Sequence, residues 1–113
     1  MKLVQTALSS TKIPVYLGAF RATTSVPKPP KSYCTYTTMT KEVFHTDDVF
    51  AAYETFVYLN MWTTTDPTAN IAKVRNAMRT NGFSMVEERE EYDEETGLNL
   101  VIWTWSIQQE ADA

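Results

Sequence analysis

The chain is poor in the residues on which most catalysis depends. It holds one cysteine and one histidine among 113 residues, and only three glycines. A single cysteine excludes an intrachain disulfide framework, so the fold must rest on an apolar core, which one domain spanning residues 1–113 is long enough to build. Cys34 lies in the strand-like run Tyr33-Cys34-Thr35-Tyr36. A small buried thiol is expected there, and such sparse cysteine suits a reducing compartment. The sequence has no Gly-rich phosphate loop. His45 with Asp47 or Asp48 can be drawn as a base and its orienter acting on Cys34, but no recognisable nucleophile setting surrounds them, and a solvated loop histidine is the better account. Adjacent acids also lack the spaced pattern of a calcium loop. The expectation is a non-enzyme with no cofactor and no metal.

Long apolar runs are missing too. No stretch approaches about 18 residues, and no basic segment leads into an apolar one at the start, so neither a membrane helix nor a signal peptide is expected. The chain reads as soluble and made in the cytoplasm. Base is in short supply, with 10 Lys and Arg against 14 Asp and Glu, for a formal net charge of −4. Phosphate binding needs clustered base, which argues against a general nucleic-acid binder.

What is present is patterned. Leu3, Val4, Ala7 and Leu8 fall at helical spacing and predict a short helix over 1–13 that stops before Pro14. Val15–Phe20 reads as a first strand. The loop from Arg21 to Ser32 carries Pro27, Pro29 and Pro30; its Pro-x-x-Pro spacing is better read as stiffness than as a recognition motif. A second strand is expected from Tyr33 to about Met39 and a polar connection from Lys41 to Ala52. Tyr53–Trp62 is a central strand, with Tyr53, Thr55, Val57, Leu59 and Met61 on one face and Phe56, Tyr58 and Trp62 on the other. Asp66-Pro67 then starts a helix with the stripe Ile71, Val74, Ala77 and Met78, ended by Asn81-Gly82. Met85–Tyr92 and Leu98–Ile107 pair as a hairpin whose loop ends in Gly97, and the residues from 107 to 113 read as a flexible tail. The order α-β-β-β-α-β-β predicts an α+β fold, a mixed sheet of four to five strands with helices packed on one face.

Two features point outward. The last strand is apolar on both sides, with Leu98, Leu100 and Ile102 opposite Val101, Trp103, Trp105 and Ile107. A chain this short has little with which to cover a second sheet face. Phe56, Tyr58, Trp62, Trp103 and Trp105 are therefore the expected oligomer contacts, since aromatic side chains anchor interfaces as well as cores. In addition, half of all the acids fall in one arm: Glu87, Glu88, Glu90, Glu91, Asp93, Glu94 and Glu95. They read either as a solvated sheet edge that blocks unwanted strand pairing or as an electrostatic surface.

Several segments taken in order resemble the tail terminator family, the small tail-completion proteins of long-tailed, non-contractile bacteriophages. The resemblance runs from Ile13-Pro14-Val15-Tyr16 with Gly18 and Phe20, through Pro29-Pro30 and Tyr33-Cys34-Thr35-Tyr36, to Asp47-Asp48. It continues with Leu59-Asn60-Met61-Trp62-Thr63, the helix holding Ile71 to Met78, Gly82-Phe83 and the hairpin around Tyr92-Asp93. The long loop from Arg21 to Ser32 and the acids after Val86 depart from it. The resemblance implies helices on a mixed sheet and a hexameric ring that caps the tail tube. It also implies contact with the major tail tube protein and a head-completion or connector protein, in the virion. Acids around such a lumen would let DNA pass without specific binding. The alternatives are another connector, stopper or minor tail protein, or a small cellular ligand-binding α+β domain.

Overall fold

The computed structural model describes residues 2–44 and 50–110. Helix α1 (Lys2–Leu8) tightens into a 3₁₀ turn at Ser9–Thr11 and ends on Lys12 at φ 63°. The Thr11 hydroxyl donates to the Leu8 carbonyl at 2.6 Å and accepts the Ile13 N–H at 3.2 Å, which turns the chain toward Pro14. Strand β1 is only Val15–Leu17, shorter than expected, because Gly18 at φ 79° turns the backbone out of the extended region. Then come β2 (Ser32–Phe44), β3 (Phe50–Thr63), helix α2 (Thr68–Thr80), β4 (Ser84–Asp93) and β5 (Leu98–Glu110).

The five strands form one sheet in the order β1-β2-β3-β5-β4. Strand β1 pairs parallel to β2, and every other pairing is antiparallel. Strands β3 and β4 therefore run the same way on either side of β5, joined by α2, which is a split β-α-β crossover. The expected α+β class, element order and mixed sheet are all present, and β3 is central.

Both helices cover one face. Val4, Ala7 and Leu8 of α1 and Ile71, Val74, Ala77 and Met78 of α2 close over Cys34, Tyr36, Val57, Leu59, Met61, Val101, Trp103 and Trp105, all of them buried. Fully burying a side chain of this kind contributes about 1.5–3 kcal/mol, so this layer supplies most of the driving force.

Helix α2 is bounded as its sequence dictates. Pro67 already has helical dihedrals and accepts the Ile71 N–H, while Asp66 Oδ1 accepts both the N–H (2.9 Å) and the hydroxyl (2.7 Å) of Thr68. At the other end Gly82, at φ 91°, lets its N–H reach the Arg79 carbonyl and the Phe83 N–H reach Met78. This is the paired Schellman closure, with buried Phe83 and Met78 as its apolar partners.

Two expectations need correction. The connection placed at Lys41–Ala52 is strand over Lys41–Phe44 and again over Phe50–Ala52; His45, Asp47 and Asp48 lie outside the described residues. Hydroxyl and charged pairs interrupt the apolar alternation at Thr40–Thr55 and Lys41–Glu54, before Val43 meets Ala52 and Phe44 meets Phe50. Thr40 and Thr55 pair at 2.9 Å, and Lys41 faces Glu54 at 4.0 Å. Likewise, residues 107–110 are not a loose tail, because they continue β5 alongside Ala52–Thr55 of β3. Residues 111–113 lie outside the description.

Candidate interaction surface

The sheet face away from the helices has no covering layer among the described residues. Tyr33 and Trp62 are register partners on β2 and β3, and their rings stack with centroids 6.5 Å apart. Tyr16 from β1 and Phe20, just past the Gly18 turn, meet edge to face at 5.2 Å, and both pack on Tyr33 at 6.2 and 5.9 Å. Burial, and then the neighbouring Tyr16, raises the Tyr33 phenol above its usual range. Each of these four rings is only half-buried. Farther along the face lie Tyr58, which is exposed, half-buried Phe56 beneath the Lys41 ammonium, and Leu100 and Ile102 of β5.

Phe56, Tyr58 and Trp62 thus sit on the open face. Trp103 and Trp105 do not, and this corrects the expectation for them. Both are fully buried against the helices, opposite Leu59 and Val57 of β3, so neither offers contact area to another subunit. Both faces of β5 are apolar, and the alternation alone does not say which one the helices cover.

The acidic arm divides in the same way. Strand β4 is an edge strand, and Glu87, Glu90, Glu91, Glu94 and Glu95 are exposed, with Asp93 half-buried. Glu88 is different. The register slips between Met85 and Glu87, leaving Val86 as an extra residue, so that Glu88 falls opposite Trp103 on the helix-covered side. There it accepts the Trp103 indole N–H and a bidentate pair from Arg75 of α2, whose Nε lies 2.8 Å from Oε1. Arg75 first, then Trp103, holds the Glu88 carboxyl below the usual carboxylate range against the opposing effect of burial. Glu88 therefore clamps α2 to the sheet and is not part of an acidic surface.

Where β3, β5 and β4 end together, the open face carries a shallow depression lined by Trp62, Leu100, Glu91, Tyr92 and Asp93. Its lining sets the apolar Trp62 and Leu100 beside the acids Glu91 and Asp93. Sequence reading named Trp62 and the acids separately. What it missed was Leu100 between them, a residue identifiable only once β5 is known to lie between β3 and β4. Among the described residues no group of His, Cys, Asp and Glu is arranged to hold a metal, and no helix is long and apolar enough to cross a membrane.

No protein-family model matches the sequence, and no curated protein matches it. Among solved structures, a chain from the virion of a native gene transfer agent particle has a similar fold, with a TM-score of 0.53 at 10% identity, covering 93% of this chain and 84% of that one.

Proposed function

We propose that this chain is a non-enzymatic structural protein of the virion of a long-tailed phage or phage-like particle, and within that class the tail terminator. In this role it forms a ring, hexameric as in the family its motifs resemble, at the head-proximal end of the tail. The ring stops growth of the tube built by the major tail protein and presents a surface to the head-completion or connector protein, after assembly in the host cytoplasm. DNA passes through the lumen without specific binding.

The observation that carries this reading is the correspondence of fold, over 93% of the chain, with a component of a gene transfer agent virion. A virion component is also the broad setting suggested by the order of motifs from Ile13 to Asp93; the terminator role within it rests on those motifs. An uncovered aromatic sheet face suits a protein completed by its neighbours. The exposed acids suit a lumen that repels the phosphate backbone.

The test is assembly. In lysates lacking the protein, tails should be overlong or fail to join heads, and adding the purified protein should restore joining. Tails of normal length that join normally without it would overturn the terminator role.

A further inference from the structure

The depression on the open face and the proline-bearing loop that leads into β2 are chemically complementary. The loop is held in shape at both ends. Thr23 accepts the Val26 N–H on its hydroxyl at 3.0 Å and donates its own N–H to the Val26 carbonyl at 2.9 Å, while the Thr64 N–H ties the Lys31 carbonyl to the end of β3 at 3.0 Å. Between these ties, Pro27, Pro29 and Pro30 restrict the backbone and present Lys28 and Lys31 to solvent. Among the described residues neither lysine takes part in an ion pair. The depression is lined by apolar Trp62 and Leu100 together with Glu91 and Asp93, a setting for the aliphatic stem and ammonium of a lysine. Among the described residues Glu91 pairs with exposed Arg89 at 3.6 Å, and Asp93 uses one oxygen to accept the Glu95 N–H of its own turn.

We propose that the Pro27–Lys31 loop of one copy of this chain docks by Lys28 into the Trp62–Glu91–Asp93–Leu100 depression of the next copy. The surfaces are different patches of the chain, so the contact is heterologous and repeats from copy to copy. Both lie at the same end of the sheet: the loop leads into Ser32, which pairs with Thr63, and the depression is built beside Trp62 and the Asp93–Leu98 pair. A heterologous contact gives a ring when its rotation closes, and the ring reading requires that this one does. A loop already fixed by its prolines and anchors loses little entropy on docking. This inference deepens the ring reading and rests on it for its biological setting, although the contact itself is a property of the isolated chain.

The experiment is a dilution series of the full chain followed by two-dimensional NMR, from about 1 mM to about 20 μM, a range that reveals contacts with Kd near the millimolar level. The Trp62 indole and the amides of Glu91, Asp93, Leu100, Lys28 and Lys31 should shift together with concentration. Raising the salt to about 0.5 M should weaken the association several-fold. Lys28→Glu/Lys31→Glu and Glu91→Lys/Asp93→Asn should each abolish the shifts, the asparagine keeping the turn acceptor of Asp93. An equimolar mixture of the two variants should restore them, because the native loop of one meets the native depression of the other. Shifts that are absent at about 1 mM, confined to one patch, or preserved in both variants overturn the contact. Tail assembly in lysates is read separately: normal tails without the protein remove the virion role and leave an observed contact standing, whereas defective tails with no concentration-dependent shifts do the reverse.

Discussion

Glu88 and Trp103 face each other across β4 and β5, and the indole N–H of Trp103 ends on the Glu88 carboxylate. Trp105, two residues along the same strand face, is equally buried, but its indole N–H has no hydrogen-bond partner among the described residues. The two tryptophans therefore answer differently to the same change. Phenylalanine removes similar volume at each site, but at 103 it also takes a donor from Glu88, while at 105 it deletes an unsatisfied group. Trp103→Phe should be more destabilising than Trp105→Phe by about 1 kcal/mol. Denaturant midpoints of both variants check this, and equal midpoints would mean that the Trp103–Glu88 bond contributes nothing net.

The Glu88 clamp predicts a pH dependence. Its carboxyl titrates lower in the folded protein than in the unfolded chain, chiefly because of Arg75. The stabilisation is therefore complete above the unfolded value, about 4.3, and is lost as pH falls through the lower folded value. Glu88→Gln should lower the melting temperature at neutral pH and flatten its decline below about pH 4.3. Parallel acid limbs for wild type and variant would show that other carboxylates carry that decline.

Gly97 closes the β4–β5 loop at φ 72°, where its N–H reaches the Asp93 carbonyl at 2.8 Å. A Cβ there would meet only the Tyr92 hydroxyl at 3.9 Å, so the obstacle to other residues is backbone conformation and not space. Gly97→Val should cost about 1–2 kcal/mol, the left-handed region being disfavoured for L residues and most of all for β-branched ones. An unchanged thermal melt would contradict this.

Asp66 starts α2 through its two bonds to Thr68, and the Thr68 hydroxyl first, then its N–H, holds the carboxyl below the usual range. Asp66→Ala should lower the denaturant midpoint, while Asp66→Asn should retain most of the wild-type value because it keeps the acceptor. By the same sign argument as for Glu88, the difference between wild type and Asp66→Ala should narrow as pH falls below about 3.9. A constant difference across that range would exclude the charged cap.

Much of the architecture was legible because local chemistry and periodicity agreed. Asp66-Pro67 and Asn81-Gly82 bracket one apolar stripe, and the alternation of β3 separates Val57, Leu59 and Met61 from Phe56, Tyr58 and Trp62. Three things were not legible, each for a physical reason. The β2–β3 hairpin carries polar pairs at Thr40–Thr55 and Lys41–Glu54, so no continuous apolar stripe marks it as strand and it reads as a loop. The side chosen for Trp103 and Trp105 depends on where α2 packs, which is a tertiary choice between two apolar faces. Glu88 lies inside because of a single extra residue at Val86, and a one-residue slip reverses every side chain beyond it.

Cys34, the only thiol in the chain, is sealed beneath the helices between β1 and β3, and burial pushes its pKa up to about 12. In the closed molecule it is both inaccessible and protonated, which makes it chemically silent. It becomes an alkylation target only when the layer opens. The rate at which a thiol reagent consumes Cys34 is therefore a clock for openings of the sheet, and the unaltered sequence carries its own reporter of conformational exchange. The same silence leaves a cysteine introduced on the open face as the single reactive site in the folded molecule, ready for a spin label or fluorophore without removing a native residue.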